Sequence, residues 1–529
     1  MGNDLLPDRA GTREWVGLTV LTLPALLASM DLSVLFMAAP AVSADLEPTG
    51  TQLLWIMDIY GFLMAGLLLT MGTLGDRIGR RRLLIIGAVA FGLASLLAAY
   101  STTSEMLIAA RALLGIGGAT LAPSTLALIR HMFRDDRQRR TAIAVWTGAF
   151  SSGFPLGSII GGILVDHFWW GSVFLINIPI MVLLLILAPL LLPEYSDPNP
   201  GRFDLVSVAL SMAAVLPTIW GLKKLAEDLA EDGLRVPPLV AVAAGLLIGY
   251  LFVRRQRSRP DPLIDVGLFR HRAFAASIGS NTILILASAG VGFLVVQYLQ
   301  LVLGYRPFVA ALWMLPMVTA NVIGIAVGTA VVRWVRPGFV VGTGLALMAV
   351  GFGLLTQLDA ADSITSVLAG YAVLGLGMGM AITLAYGLVV ATAPPENAGA
   401  AAAMNETGSE FGGALGIATL GSVATAVYQN SVGNALSSDL PAEAAAAASG
   451  TLGGAVAVAE DLPAGLADRL LDDARDAFVQ GINVTAAIGS VFLVVAAVVI
   501  TVVLRKVRLV ESSQTEASAR VDTDIEAGN

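Results

Sequence analysis

Cysteine is absent from the 529 residues, which excludes disulfide frameworks, thiolate zinc sites, iron-sulfur clusters and cysteine nucleophiles. Lysine is almost as scarce. Only Lys223, Lys224 and Lys506 occur, and none sits in a G-x-x-x-x-G-K-[ST] loop, so ATP is not a direct fuel by that route. The three histidines, His131, His167 and His271, lie far apart and offer little for a metal site or a triad. Charge of either sign is short: 13% of residues are charged, against 56% AVILMFWYC and a further 56 glycines. A water-soluble chain of this length would need those missing charges to coat its surface. Composition therefore predicts an all-α polytopic membrane protein, with no enzyme constellation and no nucleic-acid surface.

Apolar runs of about 18 residues or more are what a bilayer core requires. They fall near 15–39, 51–71, 83–101, 105–129, 141–164, 172–192, 204–222, 236–253, 273–303, 308–331, 338–358, 363–392, 398–428 and 477–504. Backbone groups in lipid must be satisfied within the span, so these fourteen runs are predicted to be helices. The first follows Asp4, Asp8 and Glu14 rather than a basic segment and reaches Pro40 without a cleavage site, so it is read as a span and not a signal peptide.

Fourteen spans put both termini on one side. Of the Lys and Arg residues, 24 fall in segments on that side and six on the other, with Arg111 inside a span. The positive-inside rule then places both termini in the cytoplasm. The segment 429–476 is acid-rich and falls on the external side; its stretches Ala442–Ala448 and Leu462–Leu471 suggest short helices folded over the outer mouth, or else a solvated loop. The tail 509–529 reads as disordered.

Few acids lie deep in the spans: Asp31, Asp58, Glu406 and Glu410. Such carboxylates are expensive in lipid and default to function. Glu406 and Glu410 share one helical face, with Asn405 beside them. Asp58 has Trp55 one turn before it and Tyr60 two residues on. An acid walled by aromatic rings suits a lipophilic cation. Trp146, Tyr298 and Trp313 are further wall candidates, although aromatics in membrane helices commonly serve packing or interface anchoring. Arg111 is costly in an apolar run, so it is expected to face an aqueous cavity or a partner carboxylate, or to snorkel outward.

Several local patterns add to this. After the second span comes Gly72-Thr-Leu-Gly75-Asp76-Arg77-Ile-Gly79-Arg80-Arg81-Arg82, in which glycine permits the turn and Arg anchors it at the inner surface. Gly328-Thr329 with Arg333 echoes it after the tenth span. The fifth span carries Gly153, Gly157, Gly161 and Gly162, a small-residue stripe for close helix packing, with Pro155 within it.

The Gly72–Arg82 spacing resembles the helix 2 to 3 signature of the major facilitator superfamily, and Leu107 to Gly118 around Arg111 resembles its helix 4 motif. Gly157-Ser158-Ile-Ile-Gly161-Gly162 with Phe174-Leu-Ile-Asn177-Ile-Pro179 is similar to the helix 5 to 6 signature of drug:proton antiporters, departing from it where Ser158 replaces the usual proline. Fourteen spans, Met30-Asp31 and Asn405 to Gly413 complete the resemblance to the 14-helix drug:proton antiporter family. That resemblance implies the major facilitator fold: a six-helix half over 1–200, an inserted helix pair over 201–260, a second half over 261–508 and the tail. It also implies export of lipophilic cations in exchange for protons by a bacterial inner-membrane protein that works as a monomer without a cofactor. Asp31, Asp58, Glu406, Glu410 and Arg111 are then the coupling and cation-binding set. Asn321 stands where some members carry another acid. An endogenous antibiotic, lipid or metabolite is the alternative cargo.

Overall fold

The computed structural model describes residues 10–196, 204–231, 235–259, 266–359, 364–392, 398–435, 442–505 and 507. Fourteen helices among them are long and apolar enough to cross a membrane. They are α1 Thr12–Leu46, α2 Gly50–Ile78, α3 Arg80–Ala99, α4 Ser104–Met132, α5 Asp136–His167, α6 Ser172–Leu191, α7 Leu205–Glu231, α8 Val236–Ser258, α9 Arg272–Val302, α10 Pro307–Val331, α11 Pro337–Leu355, α12 Ile364–Thr392, α13 Ala398–Ala435 and α14 Ala464–Leu504. Lys506 and the tail lie outside the described residues.

Several boundaries differ from the hydropathy reading, those of α1, α7 and α14 most. Helix α1 does not stop at residue 39 but continues through Pro40 to Leu46; a proline removes one donor and bends a helix, and packing on neighbours tolerates that inside a membrane bundle. Helix α14 begins at Ala464 and absorbs the Leu462–Leu471 stretch, which is therefore not a separate short helix. Helix α10 is broken at Met314, two residues before Pro316, whose missing N–H and ring displace the preceding turn.

Glycine sets the close approaches. A Cβ on Gly153 would lie 2.5 Å from Ser29 Cβ, on Gly157 2.2 Å from Ser33 Oγ, and on Gly161 2.9 Å from Val34 Cα, so this stripe of α5 lies backbone-close on α1. Gly162 faces the other way, 2.8 Å from Phe308 Cα of α10. Gly61 of α2 lets α13 in, 3.1 Å from Ala414 Cβ. Helix α7 lies over the α2–α13 seam, where Val215, Leu216 and Ile219 pack with Trp55, Phe62 and Phe411.

The two ends of the bundle differ. At the arginine-rich end, Gly79 turns the chain at φ +106°, Arg80 pairs with Asp76 at 2.5 Å, and Arg81 reaches Glu194 at 3.4 Å. Gly72 has open room, its nearest neighbour being Pro123 at 4.0 Å. At the opposite end two short helices, Ala442–Gly450 and Leu452–Glu460, form a hairpin against the bundle. Tyr428 of α13 donates to the Ala448 carbonyl at 2.7 Å, and a Cβ on Gly453 would touch Ser43 of α1 at 2.5 Å. This segment is packed rather than solvated: Ala448, Leu452 and Ala455 are buried.

Candidate functional site

Asp31 and Arg111 are brought together by α1 and α4. The guanidinium is fully buried, donates to Asp31 Oδ2, and adds a bond to the Ile56 carbonyl at 3.0 Å and a longer one to the Met57 carbonyl at 3.5 Å. It lies 4.9 Å from the Tyr60 ring centroid. Two carbonyls of α2, one carboxylate and one ring leave the charge enclosed, so Arg111 takes the partner carboxylate expected of it and neither snorkels nor opens to water.

Asp58, one turn after Trp55, is 1% exposed, and a cation of this chain already stands on it. Lys223 Nζ of α7 stands 2.7 Å from Asp58 Oδ2 and 4.1 Å from the Trp55 ring centroid. The apolar run ends at residue 222, which had put Lys223 in an external loop, but the helix continues to Glu231 and the side chain points back into the protein with 2% exposure. Its signal in the sequence is phase: Val215, Ile219 and Lys223 are spaced by four and lie on one face, the face that packs on α2 and α13.

Helix α13 supplies the other acids. Glu406 and Glu410 share a face and are half-buried, and among the described residues neither has an ion-pair partner. Asn405 is buried with its Oδ1 unpartnered. Asn281 of α9, not singled out in the sequence, donates to Ser409 Oγ at 2.7 Å and adds polarity to this face.

The predicted wall does not assemble as one surface. Trp55 is the ring against Lys223. Tyr60 is buried between α2 and α4 beneath Arg111 and does not line an open space. Tyr298 is fully buried and donates to the Asp359 carbonyl at 2.8 Å, so it anchors the hairpin-covered end. Trp313 packs on Tyr305 at 6.2 Å at that same end. Trp146 stacks on Phe150 at 5.7 Å and donates to Thr125 Oγ1 at 3.2 Å, remaining half-buried. Asn321 donates to the Gly375 carbonyl at 3.4 Å and so serves the α10–α12 contact. Large aromatics and amides satisfy packing and hydrogen bonds first, the role that the sequence already left open for Trp146, Tyr298 and Trp313.

Comparison with known proteins bears on the whole chain. A family model described as Major Facilitator Superfamily matches residues 21–417. The multidrug efflux pump LfrA of Mycolicibacterium smegmatis is 45% identical over 503 residues, covering 94% of this chain and 98% of that protein. The methyl viologen resistance protein SmvA of Salmonella typhimurium is 36% identical over 490 residues, covering 92% and 97%. Among solved structures, a bacterial homologue of the human lysosomal transporter Spinster in an inward-facing, unoccupied conformation superposes with a TM-score of 0.63 at 16% identity, covering 95% of this chain and all of that one; the likeness is one of fold.

Proposed function

This chain belongs to the Major Facilitator Superfamily, and on that premise we propose that it exports lipophilic cationic small molecules across a bacterial plasma membrane in exchange for protons. One observation carries the reading. Asp31 and Asp58 are each neutralised by a base of this chain, whereas Glu406 and Glu410 share a half-buried face without an ion-pair partner among the described residues. Two uncompensated acids in a low-dielectric cleft take up either protons or a cation, and one displaces the other. That competition is exchange. The names of the relatives agree with a cationic cargo: one is a multidrug efflux pump, and the other is a methyl viologen resistance protein, methyl viologen being an aromatic organic dication.

The Lys and Arg distribution puts the arginine-rich end and both termini in the cytoplasm. The hairpin-covered end is then external. The two halves meet there: Gly162 lies on Phe308, Gln300 donates to the Met37 carbonyl at 3.3 Å, and Arg306 pairs with Asp166 at 3.3 Å. This arrangement supports a cycle in which cargo enters from the cytoplasmic side and the external contacts open to release it. No cofactor enters the scheme, and the driving force is the proton gradient. Expression in an efflux-deficient bacterium tests it: ethidium accumulation is expected to fall, and a protonophore is expected to restore it. Accumulation that does not respond to the protonophore refutes proton-driven export.

A further inference from the structure

We propose that Lys223 is a tethered stand-in for the cationic cargo, occupying Asp58 and Trp55 until a substrate cation displaces it. The contacts are those a quaternary ammonium would take: a carboxylate 2.7 Å from the charge and an aromatic face 4.1 Å away. The proposal rests on the export reading above and assigns the inserted pair α7–α8 a selecting role within it.

Three features separate this from a structural ion pair. First, the hold is sparse. Arg111 is fixed by a carboxylate, two carbonyls and a ring, whereas among the described residues Lys223 has one carboxylate and one ring. Its ammonium is a compact charge on a flexible four-carbon stem, suited to leaving. Second, burying an ion pair is a poor way to stabilise a helix contact, because desolvation offsets most of the attraction and apolar replacements commonly do as well. Ile219 and Val215, one and two turns away, already give α7 an apolar grip on α2 and α13. Third, the helix is fastened at its far end. Asp204 accepts from Arg255 at 2.9 Å and from the Ser207 hydroxyl at 2.7 Å, and Gln256 of α8 donates to Ser207 Oγ at 2.7 Å. Beside Lys223 the two helices are also close, since a Cβ on Gly221 would lie 2.6 Å from the Pro238 carbonyl oxygen, so α7 can shift on the bundle together with α8 as one unit.

The consequence is selectivity. A neutral lipophile that fills the same space cannot replace an ammonium on a buried carboxylate without leaving Asp58 uncompensated, so Lys223 screens cargo for positive charge. The pair also relieves Asp58 of proton exchange at rest, so that the competition between protons and cargo charge falls to Glu406 and Glu410.

The test uses the full chain in lipid nanodiscs with tetraphenylphosphonium as probe. Removing an internal competitor raises apparent affinity by the reciprocal of the fraction of time the site stood free, so with Lys223 in place about nine-tenths of the time Lys223→Met is expected to bind about tenfold tighter. Lys223→Arg, whose planar fork grips a carboxylate with two bonds, is expected to bind more weakly than the wild type. Asp58→Asn is expected to lose most binding. Amine acylation of the unmodified protein, read by mass spectrometry on its three lysines, needs no variant: Lys223 is expected to react slowly alone and faster with probe bound. If Met and Arg variants bind like the wild type and the probe leaves Lys223 acylation unchanged, the stand-in role is overturned, and ethidium export that continues in the wild type but is lost when Glu406→Gln and Glu410→Gln are combined shows that the export reading survives it. An Asp58→Asn variant that binds the probe fully also overturns the proposal.

Discussion

Arg111 of α4 and Asp31 of α1 form a fully buried ion pair whose guanidinium also donates to the Ile56 and Met57 carbonyls of α2. Three helices of one half thus converge on a single charge. Removing one member of a buried pair leaves the other uncompensated and typically costs about 3–5 kcal/mol. Asp31→Asn and Arg111→Gln are each expected to lower the thermal melting temperature in detergent. The double variant is expected to recover much of that loss, because neither charge is then stranded. Losses that simply add would show that the two residues act independently.

The pair also decides which acids are left for cargo. On the export reading proposed above, and with Asp31 committed to Arg111, the second charge for a dication is assigned to Glu410, one helical turn from Glu406 on α13. Glu410→Gln is expected to abolish methyl viologen export while retaining part of ethidium export. Glu406→Gln combined with Glu410→Gln is expected to reduce cation-driven proton release in reconstituted vesicles to the level of empty vesicles. A pH-sensitive dye inside the vesicles reads the outcome, and undiminished release in the double variant would remove α13 from the coupling.

Much of this was legible in the chain itself. The fourteen spans follow from bilayer thickness and run length, and the deep acids stood out because carboxylates are rare there. The need of Arg111 for a carboxylate was visible, but its choice of Asp31 was not, since that depends on how α1 and α4 pack. Lys223 was hidden by a boundary effect: hydropathy ends the seventh span at the first lysine, yet the helix goes on and turns that lysine inward. The facing of the tyrosines was likewise not written in the chain: Tyr60 lies against Arg111, and Tyr298 donates to the Asp359 carbonyl, the packing use that the sequence left open for it.

The glycine stripe of α5 yields a steric prediction. At Gly157 a Cβ would stand 2.2 Å from Ser33 Oγ and 2.9 Å from the Met30 carbonyl, one residue from Asp31. Gly157→Val must therefore push α5 away from α1 next to the buried pair. Export is expected to be lost, with the protein still in the membrane. Gly148 has nothing within 4 Å, so Gly148→Ala is expected to leave export unchanged. Ethidium accumulation alongside quantitative membrane blotting checks both, and equal tolerance at the two positions would deny the stripe its packing role.

The last prediction concerns pH and the foot of α7. Burial alone would raise the Asp204 carboxyl, but hydrogen bonds from Arg255 and Ser207 outweigh it and hold the group well below the usual carboxylate range. A carboxyl depressed in the folded state contributes stability above its unfolded value, about 3.9, and that contribution fades as pH falls toward the folded value. Asp204→Asn, which keeps the shape but not the charge, is expected to cost about 1–3 kcal/mol at neutral pH, as loss of charge-assisted hydrogen bonds does. The melting difference between wild type and variant is expected to be constant from neutral pH down to about pH 5 and to shrink below about pH 4. A difference that instead grows on acidification would mean that the Asp204 carboxyl is not stabilised in its ionised form. Because the same clamp fastens α7 to α8, the variant is also expected to hasten acylation of Lys223 without any cation present.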